Sequence, residues 1–318
     1  MNNLKILFSG TPDFAVESLK ILIENGYNIC GVITAPDKPA GRGMVMQQSA
    51  VKKYAQSKGL FILQPEKLKD TAFLLQVASL NADLHIVVAF RMMPEQLWSM
   101  PRLGTLNLHA SLLPQYRGAA PINRAIMNGE STTGVTTFFL KHEIDTGDII
   151  LAEKVDIGHS ETAGELHDRL KHIGAALILK TVQQIEKGNL WTTPQNSITT
   201  EIKHAPKIFK NDCLINWSDK ASNVFNQIRG LSPYPGAFTI LKNKYEKELT
   251  LKIYAATILE SIEFLEAGKI ISDNKSFLNI AASDGLISIK ELQLEGKKRM
   301  TVLDFMRGFS INDYTVKK

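Results

Sequence analysis

LKILFSGTPDFAVESLKILIENGYNICGVIT, Leu4 to Thr34, is the stretch on which the fold turns. Leu4 to Phe8 is an apolar run that Ser9-Gly10-Thr11-Pro12 breaks. Phe14, Leu19, Leu22 and Ile23 then approximate one helical face, which Gly26 ends, and a second strand-like run covers Asn28 to Thr34. The alternation continues outward from this unit. Helices are predicted near Ala50 to Lys58 and Thr71 to Leu80, with strands at Leu60 to Leu63 and Leu84 to Phe90. A short strand at Leu106 to Leu108, a helix at Ala120 to Met127, strands at Gly134 to Leu140 and Ile149 to Val155, and a long helix from Thr162 to Glu186 follow. Alternating strands and helices imply a mostly parallel, Rossmann-like α/β sheet with both faces covered. Ligands of such open sheets collect at the carboxyl ends of the strands.

The 318 residues exceed what one core usually organises, so two domains are expected. The polar, proline-punctuated segment 189–207 reads as a linker between a domain at 1–188 and a second at 208–318. In the second, a helix at Ala221 to Arg229 precedes short alternating runs at Ala237 to Leu241, Leu249 to Ala255, Gly268 to Ile271, Phe277 to Ala282 and Leu286 to Leu292. Five or six short strands with little helix suggest a small β-barrel of the oligonucleotide-binding (OB-like) type.

Composition excludes several classes. With 44% hydrophobic and 22% charged residues the chain is neither disordered nor fibrous. The apolar run at the N-terminus is too short for a signal segment and no later run reaches the length of a membrane span, so a soluble cytoplasmic protein without a membrane partner is expected. Cys30 and Cys213 form no metal or disulfide pattern. The net charge is +5, and residues 207–318 hold 17 basic against 13 acidic residues, which directs any polyanionic partner weakly to the C-terminal third.

The N-terminal turn, FSGTPDFA, has one glycine where a dinucleotide fingerprint needs three, so a dehydrogenase is disfavoured, and Gly10 is explained equally by a tight turn. LNLHASLLPQYRGAAP, Leu106 to Pro121, is more informative. Asn107 and His109 are two apart on a strand and therefore share a face. HEIDTGD, His142 to Asp148, places Asp145 in a loop just after another strand. A carboxamide and a protonated imidazole can both donate to a carbonyl oxygen as it acquires charge, and a carboxylate can hold the imidazolium. Each residue alone also has an ordinary structural use, as a satisfied sheet histidine or a turn aspartate. No serine or cysteine nucleophile stands beside the histidine, which favours direct attack by a substrate amine on a bound carbonyl carbon. His142, Glu143, His159, His167 and His172 show no metal-ligand spacing, so no metal is expected.

SGTPDFA, PDKPAGRG, NLHASLLPQYRGAAPI and GVTTFFLKHEIDTGDI, with INW and IRGLSPYPGAF further on, resemble the methionyl-tRNA formyltransferase branch of the 10-formyltetrahydrofolate-dependent formyltransferase superfamily along essentially the whole chain. The resemblance implies formyl transfer from 10-formyltetrahydrofolate to the free amine of initiator methionyl-tRNA; separately, a monomer is expected. It implies Asn107, His109 and Asp145 as the catalytic trio, and Ser111, Leu112, Leu113, Pro114 and Phe90 around the folate. It also directs the loop from Asp37 to Gln48, with Arg42 central and Lys38 beside it, toward the tRNA acceptor end, although the same composition suits a mobile solvated loop. Barrel phosphate contacts would come from among Lys207, Lys210, Lys242, Lys244, Lys297, Lys298 and Arg299. A sugar-nucleotide N-formyltransferase is the alternative enzyme, and a catalytically silent tRNA-binding protein the alternative class. Two positions depart from the family's pattern. Phe90-Arg91 stands where an aromatic followed by Gly is usual, and is expected to remove a hydroxyl from the pterin pocket and add a guanidinium. Ala110 stands where Gly usually precedes SLLP.

Overall fold

A computed structural model describes residues 4–40, 45–197, 201–260 and 265–317. The chain divides into two compact units. The first takes Met1–Gly118, Thr133–Val155 and His167–His204, and the second takes Ala119–Thr132, Asp156–Leu166 and Ala205–Lys318.

The opening of the chain folds as its periodicity dictates, into β1 (Lys5–Gly10), α1 (Asp13–Glu24) and β2 (Asn28–Ile33). Gly10 ends β1 because α1 passes close by: a Cβ there would lie 2.6 Å from the Cβ of Ala15 and 3.1 Å from the carbonyl oxygen of Val88. The stretch from Asp37 to Gln48 contains a small hairpin, β3 (Lys38–Ala40) with β4 (Val45–Gln47), paired from Lys38↔Gln47 to Ala40↔Val45. Three residues per arm are too few for an alternating pattern, which is why this stretch reads as loop. Arg42 and its neighbours at 41–44 lie outside the described residues.

α2 (Ala50–Ser57) starts where the Ser49 hydroxyl accepts the Lys52 amide, and α3 (Thr71–Ser79) where Asp70 accepts the Phe73 amide. Between them β5 is shorter than expected, Ile62–Leu63, because it pairs only with β2 at the sheet edge. Then come β6 (Leu84–Val88), α4 (Glu95–Trp98) and β7 (Thr105–His109). The two-residue β8 (Arg117–Gly118) precedes β9 (Thr132–Phe139), β10 (Ile149–Asp156) and the long α6 (Ala163–Glu186).

The sheet of the first unit has the order β10-β9-β7-β6-β1-β2-β5. β6 pairs parallel with both β1 and β7, while β7 pairs antiparallel with β9. The chain runs from β1 to β2 and β5 on one side and returns to β6, β7, β9 and β10 on the other, so strand order reverses between β1 and β6, the place at which open α/β sheets bind ligands, and β7 stands one strand further along. Leu106 and Leu108 are buried on one face of β7, where α6 packs so closely that a Cβ at Gly174 would approach Leu108 Cδ2 to 2.7 Å. Asn107 and His109 project to the other face.

The second unit contains α5 (Pro121–Met127) and α7 (Ala221–Leu231), joined by a hydrogen bond from Asn123 Nδ2 to the Gly230 carbonyl of 2.7 Å. Arg229, buried on α7, donates to the Glu161 carbonyl at 3.1 Å. These contacts draw 119–132 and 156–166, which sequence places in the first domain, into the second unit. After β11 (His204–Ala205), its antiparallel, barrel-like sheet is built from β12 (Ala237–Asn243), β13 (Glu248–Leu259), β14 (Ile270–Ser272), β15 (Leu278–Ala281), β16 (Leu286–Leu294), β17 (Met300–Thr301) and β18 (Tyr314–Val316). Trp217, Phe238, Ile253, Ile287 and Leu292 are among its core residues. A short α8 (Val302–Met306) and β18 were not expected from the sequence, being brief and mixed in composition.

Candidate active site

The carboxyl end of β7 delivers the two residues that the sequence singles out. His109 is buried, and its Nε2 lies 2.8 Å from the carbonyl oxygen of Tyr116, which can only accept. Nε2 therefore carries a hydrogen and is occupied. Nδ1 faces Asp145 Oδ2 at 3.8 Å. Both ring nitrogens thus face acceptor oxygens. The nitrogen left for substrate chemistry is Nδ1, a narrower role than a freely presented imidazole.

Asn107 shares that face of the strand, and its Oδ1 is buried with no hydrogen-bond partner in the protein. Leaving a buried carboxamide oxygen unpaired costs about 1–3 kcal/mol, so such an atom marks a place where another group completes the bonding.

Asp145 comes from the loop after β9, with left-handed backbone at φ 55°, which aspartate tolerates better than most residues. Its Oδ2 accepts the Gly118 amide at 2.9 Å. Two residues on, the loop passes so near β9 that a Cβ at Gly147 would sit 1.6 Å from the Phe139 carbonyl oxygen. Only glycine fits there.

The residue that sequence reading missed is Gln195, from the segment assigned as linker. It is 3% exposed. Its Nε2 donates to the carbonyls of Asp145 at 2.9 Å and Gly147 at 2.7 Å, and its Oε1 accepts from Arg117 Nε at 3.1 Å and a terminal Arg117 nitrogen at 2.7 Å. A glutamine in a polar run after a proline gives no signal of this. The Tyr116 carbonyl and Gly118 amide are equally silent, being backbone.

The other expected contacts divide. Ser111 is fully buried and spends its hydroxyl on the Gln115 carbonyl at 2.6 Å. Its own carbonyl accepts from Thr136 Oγ1, which in turn accepts the Leu113 amide at 3.2 Å. Leu113 and Pro114 are buried, and Leu112 is half-buried. This loop is therefore shaped by Thr136 of β9, and the contribution of Ser111 is to its shape. The side chain of Phe90 packs against the cluster of Leu7, Ile33 and Leu63. The guanidinium of Arg91 donates to the carbonyls of Pro65 and Glu66. Lys38 is exposed on β3, while its neighbour Asp37 bonds Lys52 and Gln64, which hold that carboxyl below the usual carboxylate range.

Among the described residues, the group of histidine and carboxylate side chains close enough to hold a cation is Asp13, His167 and Asp168. Lys171 Nζ already stands there, 2.8 Å from Asp168 and 3.5 Å from Asp13. No helix among them is long and apolar enough to cross a membrane.

Comparison with known proteins bears on this site. The formyl transferase family matches residues 2–182, and the C-terminal domain of formyl transferases matches 207–310. The chain is 53% identical over 319 residues to a methionyl-tRNA formyltransferase of Parabacteroides distasonis, covering 99% of this chain and 98% of the relative. It is 52% identical over 313 residues to that of Flavobacterium johnsoniae, with 98% of each chain covered. Among solved structures it resembles an N-formyltransferase from Helicobacter canadensis in complex with folinic acid and dTDP-3-aminofucose. That likeness has a TM-score of 0.65 at 20% identity, covers 93% of this chain and 100% of the other, and speaks to the fold.

Proposed function

The chain belongs to the formyl transferase family across both of that family's domains, and from this premise we propose that it transfers the formyl group of 10-formyltetrahydrofolate to the free amine of initiator methionyl-tRNA. The observation that carries the reading is the orphan carboxamide oxygen of Asn107 beside a His109 ring whose Nδ1 faces Asp145. An acyl transfer without a covalent enzyme intermediate needs donors for an oxyanion and an acceptor for the amine proton, and these three groups supply them.

In the proposed reaction the methionyl nitrogen attacks the formyl carbon, and the carbonyl π pair moves onto oxygen. The oxyanion is met by the Asn107 carboxamide NH2 and the His109 Nδ1–H. The orphan Oδ1 of Asn107 is suited to accept from the incoming amine. Asp145 balances the charge of His109 and, directly or through water, relays the proton from the attacking nitrogen to the folate nitrogen. The carbon–nitrogen bond to the folate then breaks, giving formylmethionyl-tRNA and tetrahydrofolate. The loop Ser111, Leu112, Leu113 and Pro114 begins two residues after His109, where it can wall the folate. Phe90, two residues beyond β6, is assigned to the folate pocket, and Lys38 and Arg42 are assigned to the tRNA.

Near-full-length likeness to named methionyl-tRNA formyltransferases supports charged tRNA over an amino-sugar nucleotide as acceptor. The test is to mix the purified protein with 10-formyltetrahydrofolate and either methionyl-tRNA or a dTDP-amino sugar, and to follow tetrahydrofolate release. Release with methionyl-tRNA alone is expected. Release with the sugar nucleotide alone would overturn the assignment.

A further inference from the structure

We propose that Gln195 is a positioning residue of the transfer site, and that the segment following α6 therefore belongs to the catalytic apparatus. The inference rests on the reading of Asp145 as a working carboxylate.

The Asp145 loop is tied at its end by the Phe139 amide, which donates to the Asp148 carbonyl at 3.1 Å, and within itself by Thr146 Oγ1, which donates to the Glu143 carbonyl at 3.0 Å. Its residue 145 is in left-handed backbone, and Asp145, Thr146 and Gly147 carry no strand pairing. Two carbonyls of this loop, those of Asp145 and Gly147, converge on the one Nε2 of Gln195. A carboxamide NH2 has two hydrogens at a fixed angle, so satisfying both carbonyls fixes the loop's orientation as well as its distance. The other end of the same carboxamide is gripped by Arg117, which faces Oε1 with two nitrogens and thereby fixes which end of the amide faces the loop. Arg117 immediately precedes Gly118, whose amide bonds the Asp145 carboxylate. Gln195 thus closes a ring: its NH2 holds the backbone of Asp145, its oxygen holds Arg117, and the next residue after Arg117 holds the Asp145 side chain. His109 meets that carboxylate at 3.8 Å, a separation that a small loop displacement would change.

Gln195→Glu is the sharp variant. It keeps the length and an acceptor for Arg117, but replaces the NH2 by an oxygen facing two carbonyl oxygens. Gln195→Met, of similar length and uncharged, is the companion should the carboxylate unfold the protein. Two readouts are taken on the full chain. Amide exchange at Gly118 reports the Asp145 carboxylate without any substrate, and is expected to quicken about tenfold or more while amides within β6 and the middle of α6 are unchanged. With methionyl-tRNA and 10-formyltetrahydrofolate, kcat is expected to fall about 10- to 100-fold. Both KM values should stay within about threefold, as for a group that acts on the transition state through another. Wild-type exchange at Gly118 together with wild-type kcat in a folded variant would overturn the proposal. Failure of the functional reading looks different: the wild-type protein itself would form no formylmethionyl-tRNA, while the exchange comparison would still be legible.

Discussion

The end of β7 and the basic surface of the second unit are the two regions that polar chemistry marks out, and they are organised in opposite ways. Around His109 nearly every polar atom is committed, to Tyr116, Gly118, Gln195 or Arg117, and the orphan is an oxygen of Asn107. On the second unit much of the positive charge is spent locally. Lys242 pairs with Glu246, Arg299 with Glu291, Lys317 with Glu248 at 2.7 Å and Arg307 with Asp304 at 2.9 Å, and Arg229 is buried. The cations left facing water include Lys297 and Lys298, with Lys207 and Lys244 lying over aromatic rings. A preorganised site and a charged surface are expected to fail differently, the first in rate and the second in affinity.

The largest effect that sharpens this contrast is at β7. His109→Ala or Asn107→Ala each removes a donor to the oxyanion, which typically costs about 3 kcal/mol of barrier, on the order of 100-fold in kcat. The affinity for methionyl-tRNA, measured by filter binding, is expected to be nearly unchanged. Loss of binding with an intact rate would erase the distinction between the two regions.

A second, intermediate effect concerns a buried polar group in the same sheet that has no such task. His85 on β6 is completely buried, bonded through Nε2 to Ser9 Oγ at 2.7 Å, with Nδ1 unpartnered. Burial pushes its pKa from 6.5 down to about 3. The ring is neutral in the fold, so between those values the unfolded chain binds the extra proton. Its stabilising contribution is full above pH 6.5 and falls by about 1.4 kcal/mol per unit as the pH drops toward 3. Urea unfolding of wild type against His85→Gln should show the wild type losing about 2 kcal/mol more between pH 6.5 and pH 5. Equal losses would mean that the ring is not held neutral, and kcat is expected to be indifferent to the change.

The smallest effect lies on the surface. Replacing Lys297 and Lys298 with alanine is expected to reduce the steepness of tRNA affinity against salt by about 0.7 to 0.9 logarithmic units for each phosphate that is no longer neutralised, with kcat at saturating tRNA unaltered. An unchanged salt slope would remove these two lysines from the interface.

What the sequence makes legible follows from periodicity. The strand, turn, helix and strand of Leu4 to Thr34, and the shared face of Asn107 and His109, depend on repeats of about 3.6 and 2 residues that can be counted. Asp145 could be placed because it follows a strand that reads clearly. The remainder depends on contacts without a local pattern. Gln195 lies 50 positions from the carbonyl it holds, and the groups that orient His109 and Asp145 are a carbonyl and an amide, identical at almost any residue. Charge counting likewise could not show that Arg299 and Lys242 are paired or Arg229 buried. The departure at Phe90-Arg91 is also resolved by distant groups, the Pro65 and Glu66 carbonyls that receive the guanidinium.

That Asn107, His109 and Asp145 act as one site through the charge of Asp145 is the premise of the proposed reaction. Asp145→Asn tests this most directly, because asparagine tolerates the left-handed backbone and still offers an oxygen to the Gly118 amide, while the negative charge is lost. In a single-turnover experiment with enzyme in excess over methionyl-tRNA and saturating 10-formyltetrahydrofolate, the rate of formyl transfer is expected to fall about 100-fold or more with tRNA still bound. Transfer at the wild-type rate would make Asp145 a turn residue and contradict that premise.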